Sequence, residues 1–182
     1  MDVLPTAELG TMHAMKRRAL LILPLVAAGD LVVAEMSSLQ GLDESLRWLD
    51  RLQHSAGGTT LGAWPIGAVL EHLAQSVEMS MDGFPRQNSR LFQKTVGSAA
   101  FAFFQWRGKM SHDLAEPIPG APAFGAMQWQ AAASRLREAI ARFNGYNGML
   151  KPHFAYGPLT KAEYAQAHAM HIANHRDEIR VA

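Results

Sequence analysis

From Ser38 onward, apolar residues recur at three- and four-residue intervals between Gly- and Pro-rich breaks, and no stretch alternates convincingly as a strand does. The spacing predicts a first helix over Glu44–Gln53, capped by Asp43, with Leu46, Leu49 and Leu52 on one stripe. Residues 55–60 read as a loop. A second helix starts at Trp64-Pro65, where proline fits the first turn, and runs to about Met81. It turns Ile66, Val69, Leu70, Leu73, Val77 and Met81 inward, and Asp82-Gly83-Phe84-Pro85 stops it. A third helix is expected over Ser89–Lys109; its Val96–Trp106 part is apolar nearly all round, the mark of a buried position or a partner surface. After a proline-rich loop, Glu116–Pro122, a fourth helix over Trp129–Phe143 points Leu136, Ile140 and Phe143 inward. The last helix opens with a capping box, Thr160 to Glu163, and continues to about Ile179. Helices of this length joined by medium loops predict an all-α fold, a four-helix bundle with additional short helices and long Pro/Gly loops.

Upstream the pattern changes. Lys16, Arg17 and Arg18 precede an apolar run from Ala19 to Gly29, which Asp30 ends. That order of charge and hydrophobicity belongs to a secretory signal or signal anchor, and the paired arginines resemble a twin-arginine export signal. The run is shorter than the roughly 20 residues a membrane span needs. The alternative is that Ala19–Ala34 forms the first helix or a strand of the core. On the export reading, residues 1–36 are an extension carrying a signal-like segment over 15–34, residues 37–182 are the bundle domain, and Met15 is the true start. The protein then belongs in the periplasm or is tethered to the membrane through 15–34; if 15–34 is part of the fold, it is cytoplasmic.

Composition narrows the chemistry. The chain has 182 residues, 48% hydrophobic and 18% charged, enough for one domain with a real core. Seventeen Lys and Arg against sixteen acids give a net charge of +1, without the basic excess of a nucleic-acid binder. There is no Cys, which excludes disulfides, thiolate zinc sites and a cysteine nucleophile. A metal must therefore be held by His, Asp or Glu, and the chain has eight His. No G-x-S-x-G elbow and no Gly-rich phosphate loop occurs.

The histidines are not scattered. His168, His171 and His175 fall on one narrow face of the last helix, since at about 100° per residue His171 and His175 lie about 60° and 20° from His168. His171 and His175 form an H-x-x-x-H pair, whose spacing lets two imidazoles bind one ion. Residue 172 is Ile, so the glutamate of a zincin protease is absent. His72 sits in the apolar stripe of the second helix, and bundles build metal sites from ligands on facing helices. His72, His171 and His175 are thus candidate ligands for Zn, Ni, Fe or Mn, with room left for water or substrate. His168 can serve as a fourth ligand, a supporting partner or a proton shuttle. The bland alternative is a solvated or hydrogen-bonded histidine face.

The stretches Trp64–Glu78 and Met81–Pro85, followed by His153–Thr160 and His168–His175, resemble the two signatures of an uncharacterised family, a domain of unknown function within the DinB/YfiT-like metalloenzyme superfamily. The resemblance spans roughly Leu39–Arg180. It implies a four-helix bundle with a divalent metal held by three histidines, carried onto His72, His171 and His175. Characterised members of the superfamily include thiol-dependent S-transferases and a mycothiol-dependent isomerase, from which the export-type N-terminus departs.

Other residues complete the picture. Glu71 and Glu78, about 100–120° round the helix from His72, read as solvated carboxylates, with a supporting role at the metal as the alternative. His112, ahead of the proline loop, and His153 and Tyr156 of the second signature are candidates to line a pocket, Tyr156 as a hydrogen-bond donor. His13 and His54 read as surface residues. Phe101, Phe103, Phe104 and Trp106 read as core, or as a homodimer face if the third helix is half exposed. The function expected is a metal-dependent transferase or hydrolase acting on a small molecule. The alternative is a non-catalytic metal-binding or structural bundle of the cell envelope.

Overall fold

A computed structural model describes residues 41–125 and 128–182, which fall within a compact unit spanning 36–182. The expected signal-like segment 15–34, the extension 1–36, the Met15 start and His13 lie outside the described residues. The described chain is all-α apart from one short strand pair.

The first helix, α1, covers residues 41–53 of the described part. It is already helical at Gly41, so Asp43 lies inside it on an exposed position instead of capping it. Leu42, Trp48, Leu49 and Leu52 are buried, while Leu46 is only half-buried. The inward stripe is therefore rotated from the one expected, because Leu42 and Trp48 belong to it.

Helix α2, Ile66–Asp82, starts at Pro65 and ends at Gly83, which adopts a φ of 112°. All six expected apolar positions are buried, and so are Glu71, His72, Gln75, Ser76 and Ser80. A helix buried this fully is the centre of a bundle. It packs most closely against α4, Trp129–Gly145, and also meets α5, Lys161–Arg176. Leu49 and Leu52 of α1, Leu70 and Leu73 of α2, Leu136, Ile140 and Phe143 of α4, and Tyr164 and Ile172 of α5 share one core. Each fully buried aliphatic side chain contributes about 1.5–3 kcal/mol.

The third helix, α3, departs from expectation. It is a composite of an α turn at Arg90–Phe92, a π segment at Gln93–Gly97 and an α segment at Ser98–Arg107. In the last segment only Phe101 is buried, packing on Ala167 and Met170 of α5. Val96, Phe103 and Trp106 are exposed, Trp106 by 82%. The all-round apolar pattern thus marks a surface and not a core position. At Gly97 a Cβ would lie 1.9 Å from the Ala155 carbonyl oxygen, so only glycine lets α3 approach the 152–158 loop this closely.

Two short strands, β1 (Gly58–Thr60) and β2 (Ile179–Val181), pair antiparallel. The 55–60 loop therefore contains a strand, and α5 ends at Arg176, before Ile179. Three-residue strands are too short for alternation to show in sequence. Among the described residues no helix is long and apolar enough to cross a membrane.

Candidate metal centre

The site lies where α2 faces α5. The α5 capping box is formed: the Thr160 hydroxyl accepts from Glu163 N, and Glu163 accepts from Thr160 N at 2.7 Å. Such a cap stabilises the helix start by about 1 kcal/mol. On α2, His72, Ser76 and Ser80 follow at four-residue steps and form one polar row in a buried helix. His72 and Ser76 meet His171, and Ser80 meets His168, so the two rows run antiparallel.

One ring nitrogen from each of His72, His171 and His175 can be chosen so that all three lie within 4.8 Å of one another. The three ring centroids are each 5.0 Å apart. His72 Nε2 lies 3.1 Å from His171 Nε2. His72 and His175 are buried and His171 is half-buried. Three histidines so placed can hold a metal ion.

The partners behind the rings decide which nitrogen each offers. His175 Nδ1 stands 2.7 Å from a carboxylate oxygen of buried Glu178. An ionised carboxylate only accepts, so the proton sits on Nδ1 and Nε2 carries a lone pair. That Nε2 is buried and has no partner among the described residues. His171 Nδ1 is 3.2 Å from Ser76 Oγ, which leaves its Nε2 toward His72. Glu178 is itself clamped: its carbonyl accepts from Leu61 N at 2.9 Å, next to β1. Gly62 makes room for its carboxylate, since a Cβ there would meet Glu178 Oε2 at 2.0 Å. Trp64 stacks parallel on His175 and edge-on to His72, and Phe124 closes the same apolar wall.

Burial keeps these imidazoles neutral, the form that binds metals. Burial, with His112 close by, lowers His72 to about 4. Burial and then His72 and His112 lower His175 to about 3. His171 is pushed well below its ordinary value, first by burial and then by the neighbouring rings.

A cavity of about 130 Å³ adjoins the three-histidine group and is lined by His72, Ser76 and His171 together with His153, Tyr156 and His168. His168 is not among the three. Its Nε2 lies 3.2 Å from Ser80 Oγ, whose own proton goes to Val77 O, so His168 donates through Nε2. It stacks on Tyr164, and burial lowers it to about 3. His153 Nδ1 accepts from the backbone N–H groups of Ala155 and Tyr156 at 3.1 and 3.2 Å, which puts the proton of the neutral ring on Nε2. Burial and His168 lower it to about 3. Tyr156 stacks on His153 at 4.2 Å, and burial raises its phenol to about 12, keeping it a protonated donor.

The remaining candidates divide. His112 lines the cavity. His54 is exposed just past the end of α1, and its Nδ1 donates to the Asp50 carbonyl oxygen at 2.7 Å. Glu71 is buried and not solvated: it accepts from Gly125 N at 2.9 Å, because the loop ahead of α4 covers it. Glu78 is half-buried in a bidentate pair with Arg135 of α4. Ser76, Ser80, Glu178 and Trp64 were not singled out from sequence. A signal existed for three of them: Ser76 and Ser80 continue the face of His72 at i+4 and i+8, and Glu178 follows His175 by three.

The fold and site define an all-α protein with three histidines grouped tightly enough to hold a metal ion. The chain belongs to the family described as a protein of unknown function, DUF1569, whose sequence profile matches residues 34–181. No curated protein and no solved structure matches the chain.

Proposed function

We propose that this chain binds one divalent metal ion, Zn, Ni, Fe or Mn, through His72, His171 and His175, and acts as a metal-dependent transferase or hydrolase on a small molecule. The observation that carries this reading is the buried, unpartnered Nε2 of His175, backed by Glu178 and converging with His72 and His171 beside a cavity. Neutral imidazole nitrogens suit these borderline metals. An ion held by three protein ligands keeps a position for substrate or water and supplies Lewis acidity. Around it, the His153 Nε2–H and the Tyr156 hydroxyl are donors suited to an acceptor oxygen of the bound molecule. An all-α core with its histidines on two facing helices also supports placing the family in the DinB/YfiT-like superfamily.

The test is metal analysis of the zinc-loaded protein beside His72→Ala and His171→Ala, with circular dichroism as the check on folding. The expected result is one ion per chain in the parent and a loss in both variants, with helicity kept. Equal metal content in all three would sink the site. Metal loss that costs only stability, with no metal-dependent turnover across small-molecule esters, amides and thiol adducts, would leave a non-catalytic metal protein.

We also propose, from charge order alone, that residues 15–34 direct the chain to the envelope and that Met15 is the start. N-terminal sequencing from the native host that finds Met1 or Asp2 first would overturn that start.

A further inference from the structure

The loop between α3 and α4 brings a fourth imidazole to the three. His112 stands 4.9 Å from His171 and 5.2 Å from His175, centroid to centroid, matching the 5.0 Å among the three themselves. It is 6.4 Å from His72. Two imidazoles on one ion, with bonds of about 2.0–2.1 Å, hold their centroids about 5 Å apart at a tetrahedral angle and at most about 6.4 Å apart when opposite. The separations from His171 and His175 match pairs sharing one ion at a near-tetrahedral angle, and the 6.4 Å to His72 must shorten for His112 to share it.

The hydrogen bonding points the same way. His112 Nδ1 lies 2.8 Å from the Asp113 carbonyl oxygen. A carbonyl only accepts, so Nδ1 carries the proton and Nε2 carries a lone pair. His112 is a half-exposed loop residue, yet this Nε2 is buried and has no partner among the described residues. A buried acceptor without a donor requires an explanation, and a cation beside it supplies one. His175 Nε2 is in the same state.

We infer that His112 is a fourth, loop-borne metal ligand, which joins the ion held by His72, His171 and His175 and ties the 110–122 loop over the cavity. Beside four imidazoles, a position for substrate or water remains only on an ion of higher coordination number, such as Fe, Mn or Ni. The inference rests on the three-histidine reading and adds a ligand from outside the two helices. His112 is not in the set whose nitrogens all lie within 4.8 Å of one another, so the loop draws in as the ion binds. The ordering of that loop is thereby coupled to metal binding.

Cobalt(II) tests this on the full chain, using the parent, His112→Ala, His112→Gln and His72→Ala. The measurements are affinity by chelator competition, the visible absorption of bound cobalt, and hydrogen exchange over 110–122. In the parent, cobalt should give a spectrum that includes the loop imidazole and should slow exchange across the loop. In both His112 variants affinity should fall at least about tenfold, a loss that supporting partners also reach, so the spectrum is the deciding readout: it should change, and the loop protection should vanish. Unchanged affinity and spectrum in the His112 variants would overturn the inference while leaving the three-histidine site intact. Weaker binding with an unchanged spectrum would also overturn it, because His112 would then act without touching the ion. A parent chain that binds no cobalt would overturn both readings, whereas loss of binding in His72→Ala with the parent loaded would leave the three-histidine site standing, whatever the His112 variants do.

Discussion

Two groups of histidines meet at one cavity, lined by His171 of the first and by His153 and His168 of the second, and what stands behind each ring sets them apart. In His171 and His175 the Nδ1 atom faces Ser76 or Glu178, so the Nε2 atoms turn toward His72 and the site. In His153 and His168 the ring nitrogens are engaged differently: two backbone N–H groups occupy Nδ1 of one, and Ser80 takes the Nε2 proton of the other. His168 and His175 are buried, His153 and His171 half-buried, and desolvation favours the neutral ring in all four. The contrast teaches that a metal centre needs ring nitrogens that converge on one point, and that neither histidine count nor helical spacing supplies this alone.

The comparison is open to direct attack. The largest effect is expected from His171→Ala, which removes a nitrogen from the converging set and should abolish stoichiometric zinc binding, measured by elemental analysis. His168→Gln, three residues away on the same helix, should keep the ion. Glu178→Gln comes next: the amide lacks the charge and can donate, which favours the wrong tautomer of His175. Zinc affinity should fall about 10–100-fold by chelator competition, with the fold retained.

The third prediction concerns pH and sharpens the other half of the comparison. His168 is held near 3 in the folded chain by burial and His153 near 3 by burial and His168, against 6.5 when exposed. Below pH 6.5 the unfolded chain takes up protons that the folded rings refuse, so stability falls as pH drops from about 6.5 toward 4. Each ring contributes a slope that approaches about 1.4 kcal/mol per pH unit once the pH is about a unit below 6.5. In chelator-treated protein, His168→Gln should flatten the urea-derived slope by that amount, and an unchanged slope would show that His168 does not carry it. The smallest effect belongs to His54→Ala. This exposed ring faces neither group, so metal content should not change and stability should stay within about 0.5 kcal/mol.

The helical core was legible because its pattern is local. The inward residues of α2 and α4 and the α5 capping box are set by 3.6-residue periodicity and by side-chain chemistry within a few positions. The surface character of α3 was not legible: an apolar run looks the same whether a neighbour covers it or not. Glu71 shows the reverse error, a charged residue that is buried because Gly125 of a distant loop meets it. The cap read at Asp43 failed for a third reason, since the helix begins earlier and the local signal did not set its start.

For the site, helical spacing was enough to put His168, His171 and His175 on one face and His72 on a helix with a strong apolar stripe. The reason is that a helix has one geometry. It took the packing of α2 on α5 to bring the row His72, Ser76, Ser80 against the α5 histidines, a contact between residues 99 positions apart for His72 and His171. The tertiary structure also brought His112 beside the cluster and, by pairing β2 with β1, held in place Glu178, which sequence already sets three residues past His175. Such contacts follow from how the helices pack and where the loops return. No local periodicity encodes either.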